Sequence, residues 1–222
     1  MIRLLSLLAL LLAVPAASQP AARPWTAVAR PVASGSYLIG NPAAKVRLVE
    51  YLSYTCPHCA HFLSEGGATL KAMVRSGSLS IEVRNQVHDR VDLAAATLAR
   101  CAGPAAFPAV HDALFAQQEA WLQRAMYWDQ ANASRLALYP ELAKLRAVAD
   151  GAGLTDIARA AGVNAAAIDA CFAKDVFAAK TLAVSNATSK VRGTPAFEIN
   201  GRLVENVDWA ALQPMLRAAG AK

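Results

Sequence analysis

The sequence predicts an α/β protein in which a central mixed sheet flanked by helices is interrupted by an inserted all-helical subdomain. Three observations carry this. Residues 44–54, AKVRLVEYLSY, alternate apolar and polar side chains as a strand does, and a helix opens directly after them at Cys56. About one hundred residues from Val91 to Val191 then turn alanine- and leucine-rich with helical spacing. Strand character returns in PAFEIN (195–200) and RLVEN (202–206), joined through Asn200-Gly201, the strongest short-range hairpin signal.

The elements follow in order. Residues 1–18, MIRLLSLLALLLAVPAAS, place Arg3 before an apolar run from Leu4 to Val14, with Ala16 and Ser18 ahead of a plausible cleavage point. A membrane span needs roughly 20 apolar residues, so the shorter run reads as a secretory signal peptide, and no nearby cysteine suggests a lipid anchor. Residues 19–35 hold three prolines without apolar periodicity and read as an extended leader. The first part of the sheet domain is expected over 36–90. In it the Cys56 helix runs to about Arg75, weakened or bent by Gly66 and Gly67, and SLSIEVRNQV (78–87) forms a second strand. The helical insertion is expected over 91–185. The second part of the sheet domain, 186–222, ends in a helix from Asp208 to Ala219 whose regularity Pro214 limits.

The net charge of +6 comes from scattered basic residues with no cluster among aromatics, which argues against nucleic acid as a partner. In an exported chain, four cysteines can form two disulfides. Cys101 and Cys171, both in expected helices, are either a structural bridge or two small apolar thiols; the oxidising compartment favours the bridge.

The stretch SYTCPHCAHF (53–62) holds the chemistry. Cys56 at a helix N-terminus faces unpaired backbone N–H groups and the positive end of the helix dipole, which favours its thiolate. Pro57 suits the first turn, where its missing N–H matters least. His58 adds a ring able to hydrogen-bond to the sulfur or to place a positive charge beside it. Cys59, one turn on and facing inward, is placed to resolve a mixed disulfide. Haem attachment needs a histidine directly after Cys59, where Ala60 stands, and zinc lacks a second ligand pair. No metal or cofactor is therefore expected. His61 reads as a surface residue, and His88 and His111 show no partner in the sequence. Glu50, a carboxylate in an apolar strand, is either a solvated strand residue or a buried acid with a raised pKa.

GNPAAKVRLVEYLSYTCPHCAHF (40–62), the helical middle and VRGTPAFEING (191–201) together resemble the DsbA-like thiol:disulfide oxidoreductases of the bacterial periplasm, over residues 36 to about 218. The resemblance implies a thioredoxin fold, and implies that Cys56 and Cys59 form the redox-active disulfide. It also implies a cis Pro195 that shapes the substrate groove, substrate hydrogen bonds from the Thr194 backbone, and proton movement at Cys59 assisted by Glu50. The family's second acid, early in the first helix, falls here on Leu63, and Glu65 stands nearby. The activity so implied is donation of the Cys56–Cys59 disulfide to reduced exported proteins in the periplasm, by a monomer reoxidised by a DsbB-type, quinone-linked membrane partner. The competing readings are an isomerase or reductase kept reduced by a membrane donor, and a non-redox peptide-binding chaperone. Residues 19–35 are too short for the N-terminal dimerisation domain of the dimeric isomerases, which lowers the first of these.

Overall fold

Val46–Leu52 is buried at every position but Arg47, as a strand covered on both faces must be. In the computed structural model, which describes residues 24–27, 29–188 and 190–222, this is strand β3 at the centre of the sheet. The expected signal peptide, residues 1–18, lies outside the described residues. β3 pairs in parallel with β4 (Leu79–Asn85) and antiparallel with β5 (Ala196–Ile199). With β1 (Ala29–Pro31), β2 (Tyr37–Gly40) and β6 (Arg202–Glu205), the order across the described sheet is β1-β2-β4-β3-β5-β6. Alternation along β3 turns Leu48, Glu50 and Leu52 toward one layer of helix and Val49 and Tyr51 toward the other face.

The described end of the proline-rich 19–35 stretch is not an elementless leader. Trp25–Ala27 forms a 3₁₀ turn, and β1 pairs antiparallel with β2 in the register Ala29↔Ile39. Pro31 is compatible with a strand because β1 lies at the sheet edge, where a missing donor is tolerated.

Helix α1 (Pro57–Arg75) buries Cys59, Phe62, Gly66, Leu70, Met73 and Val74 against the sheet. It runs unbroken through both glycines. Gly66 has a packing reason: a Cβ there would lie 2.4 Å from the Trp209 indole, so only glycine lets that ring close on α1. Trp209 opens the terminal helix α9 (Trp209–Ala219), which is capped by Asp208 accepting from the Ala211 N–H and passes through Pro214.

The insertion comprises α2 (Arg90–Cys101), α3 (Gly103–Ala116), α4 (Gln118–Leu136), α5 (Glu141–Gly151), α6 (Leu154–Ala160), α7 (Ala165–Ala173) and α8 (Val176–Asn186). α2 is its hub. The run from Ala94 to Ala99 is buried all round, and its small side chains let neighbouring helices approach closely. Cys101 at the end of α2 is disulfide-bonded to Cys171 of α7, with Cα atoms 5.6 Å apart.

Candidate active site

β3 delivers the chain to Ser53, Tyr54 and Thr55, a loop whose polar backbone must be satisfied before α1 begins. The insertion does most of this. Asp92 of α2, itself capped into place by Asp89, accepts from Ser53 Oγ (2.6 Å), Tyr54 N (2.8 Å) and His88 N (3.0 Å). Gln118 Nε2 donates to the carbonyls of Tyr54 (2.8 Å) and Cys56 (2.9 Å). The Tyr54 hydroxyl meets His111 Nδ1 at 3.0 Å. Burial pushes the Asp92 carboxyl up to about 6 against the hydrogen bonds from Ser53 and the backbone. Burial likewise lowers His111 to about 4, so the ring is neutral at pH 7.

The loop sets Cys56 as the N-cap of α1, extended at φ −80° and ψ 115°, with Pro57 in the first turn. Its Sγ donates to the Thr194 carbonyl at 3.3 Å. The Thr194-Pro195 peptide is cis, and Thr194 Oγ1 is buried without a partner. Cys56 and Cys59 are both free thiols, Cys56 7% exposed and Cys59 1%. The hydrogen bond from Cys59 leads in bringing the Cys56 thiol down to about 5; burial opposes it, and the backbone N–H groups of Cys59 and His58 add to it. The same Cys56 contact, together with burial, pushes Cys59 up, so it stays protonated. His58 acts here through its backbone; its side chain is exposed.

Glu50 is 3% exposed, and its Oε1 has no partner. It stands opposite Val83 and Phe197 in the sheet and shares a small cavity with Cys59, Leu63 and Pro195. Burial first, then the Asp112 charge, pushes its carboxyl up to about 7. Leu63 lines this cavity where the family's second acid would stand. Glu65 does not take that acid's place, because it lies at the surface beside His61, 3.5 Å away. Because the folded pKa of Glu50 lies above its ordinary value, ionising it destabilises the fold. The penalty is absent below about pH 4.5, grows as pH rises and is complete above about 7. Glu50→Gln is therefore expected to gain up to about 3 kcal/mol over the natural chain at pH 8 and little at pH 4, read by urea unfolding at both.

Cys56, Cys59, Thr194, Pro195 and Glu50 thus converge, and the Cys101–Cys171 bridge stands apart from them in the insertion. A groove of about 500 Å³ between His58, His61, Thr194, Pro195 and Val207 opens beside the cysteines. Sequence reasoning missed Asp92, Gln118 and His111. The one available signal was Asp89-x-x-Asp92, an N-cap pattern at the start of α2.

The thioredoxin family matches residues 33–218. A protein of Rickettsia bellii named as a protein-disulfide oxidoreductase is 31% identical over 174 residues, which cover 76% of this chain and 58% of the relative. A Rickettsia prowazekii protein with the same designation is 30% identical over 193 residues, 85% of this chain and 62% of the relative. The chain therefore spans about three fifths of the length of these curated relatives. The crystal structure of a protein-disulfide isomerase from Novosphingobium aromaticivorans is similar with a TM-score of 0.75 at 37% identity, over 84% of this chain and 98% of that one. Wolbachia pipientis alpha-DsbA1 shares the fold with a TM-score of 0.63 at 19% identity, over 83% of this chain and 90% of that one.

Proposed function

The chain belongs to the thioredoxin family, its fold interrupted by a helical insertion as in DsbA-like proteins, and we propose that it is an exported thiol:disulfide oxidoreductase that oxidises the cysteines of other exported proteins. The observation that carries this is the asymmetry of the cysteine pair: Cys56 favours its thiolate while Cys59 holds its proton. A low-pKa cysteine stabilises the reduced enzyme and so makes the oxidised one a strong disulfide donor.

In the reaction a substrate thiolate attacks Cys56 Sγ of the Cys56–Cys59 disulfide. A substrate–Cys56 bond forms, the Cys56–Cys59 bond breaks, and Cys59 leaves and takes up a proton. Glu50 faces Cys59 across the small cavity and titrates near neutrality, which suits it to supply that proton. A second substrate thiolate then attacks the substrate sulfur, and Cys56 leaves as its stabilised thiolate. The substrate has lost two electrons and the enzyme has gained them. In the disulfide and the mixed disulfide Cys56 carries no proton, so the Thr194 carbonyl that the reduced thiol bonds is free for an extended substrate backbone lying along Pro195. The signal-like residues 1–18 direct the chain to the periplasm, where a quinone-linked membrane protein of the DsbB type reoxidises the monomer. Among the described residues no helix is long and apolar enough to cross a membrane.

The isomerase reading draws support from the Novosphingobium structure, 37% identical and named for that activity. One experiment separates the two. The oxidised protein, mixed with an equimolar peptide bearing two free cysteines, is expected to convert it to the intramolecular disulfide while Cys56 and Cys59 become reduced. If the oxidised protein leaves the peptide reduced, and the reduced protein alone restores activity to a scrambled substrate, the isomerase assignment replaces this one.

A further inference from the structure

Glu50 borders a second cavity that the disulfide chemistry leaves unused. It encloses about 380 Å³ behind α1, between that helix, the inner face of the sheet and α3. Its walls are apolar, built from residues such as Leu63, Leu70, Ile81, Val83 and Phe115. Glu50 is among the lining residues, and its buried Oε1 has no hydrogen-bond partner. At its rim Lys71 and Asp112 pair at 2.7 Å, each about half exposed. The neutral His111 on the α3 side is already bonded to Tyr54. A mostly apolar cavity of this size with one unsatisfied polar group has the make-up of a small-molecule site.

The chemistry of the missing partner follows from these charges. A buried acceptor without a donor is unfavourable, so an occupant that donates to Glu50 removes that penalty. Asp112 adds a second negative charge nearby, while Lys71 is held by Asp112 at the rim, so the interior favours a cation and disfavours an anion. A cavity of roughly 150 Å³ holds a single benzene ring, so this one has room for a bicyclic body. We propose that the cavity behind α1 binds a small apolar molecule carrying one primary amine, its ammonium paired with Glu50 and its body packed between α1, β4 and α3. Occupancy keeps Glu50 ionised and so withholds a proton from Cys59. That second consequence rests on the proposed disulfide donation, whereas binding itself does not.

Tryptamine is a suitable probe, and indole-3-propionate carries the same ring with the opposite charge. Calorimetry on the oxidised protein at about pH 8, where Glu50 is ionised, is expected to show tryptamine binding at least about tenfold more tightly than the acid. Lys71 of α1 and His111 and Asp112 of α3 also line this cavity, so the assignment to Glu50 is checked by Glu50→Gln, which is expected to weaken tryptamine about tenfold or more. Gly67 lines the cavity, and an added Cβ there meets nothing within 4 Å. Gly67→Phe is therefore expected to fill the space and abolish tryptamine binding while leaving peptide oxidation intact. Equal affinity for tryptamine and indole-3-propionate, or unchanged tryptamine binding in a folded Gly67→Phe or Glu50→Gln variant, overturns the proposal whatever the outcome of the peptide assay.

Discussion

Cys56→Ser is expected to lower peptide oxidation by about three orders of magnitude or more, because it removes the only sulfur that a substrate can attack from the groove. Cys59 is no substitute: it is 1% exposed, and Cys56 covers it. Cys59→Ser leaves Cys56 able to exchange with a disulfide but without its internal partner, so a stable mixed disulfide with substrate is expected, visible as a mass adduct that reductant releases. Titration of the ultraviolet thiolate absorbance checks the cause. The natural chain is expected to show a midpoint of about 5 that Cys56→Ser abolishes and Cys59→Ala, which leaves no donor at that position, raises, because the Cys59 hydrogen bond is the leading stabiliser of the thiolate. The sign with pH follows. A thiol whose folded pKa is depressed stabilises the reduced fold fully above its unfolded value of about 8.5 and loses that contribution as pH falls through about 5. The reduced protein is therefore expected to lose its stability advantage over the oxidised one below about pH 5. An advantage that stays flat from pH 8 to pH 4 contradicts this account of Cys56.

Removing the second disulfide is expected to act on stability alone. Cys101 and Cys171 are 70 residues apart in the chain, and closing a loop of that length restricts the unfolded state by roughly 4 kcal/mol in the chain-entropy view. The Cys101→Ala, Cys171→Ala double variant should therefore melt roughly 10 °C lower. Its Cys56 thiolate should titrate as before, because the bridge ties the end of α2 to α7, whereas Asp92 holds the active-site loop from the first turn of α2. An unchanged melting temperature would show that the bridge adds nothing to the fold. A shifted Cys56 titration would show that α2 transmits the loss to the site.

Much of this molecule was legible because its signals are local. β3 and the start of α1 announce themselves through alternation, Pro57 and the cysteine spacing, and the β5–β6 hairpin through Asn200-Gly201. β1 and β2 were hidden because a three-residue edge strand containing Pro31 has no periodicity to read. Gly66 looked like a weakness in α1 because its reason, the Trp209 ring, arrives from the far end of the chain. At the site, Cys56 and Cys59 follow from spacing, and the candidacy of Glu50 from its apolar surroundings. Gln118 and His111 could not be found the same way. They come from the insertion and bond to a backbone and a tyrosine far away in sequence, and a polar residue on an otherwise ordinary helix carries no mark of such a partner.

The central claim is that the geometry around Cys56 makes the protein a disulfide donor, and its reduction potential tests this most directly. Equilibrated with glutathione redox buffers at neutral pH, the Cys56–Cys59 couple is expected at the oxidising end of the thiol range, about −120 mV. A potential near that of thioredoxin, about −270 mV, would make the protein a reductant and contradict the account.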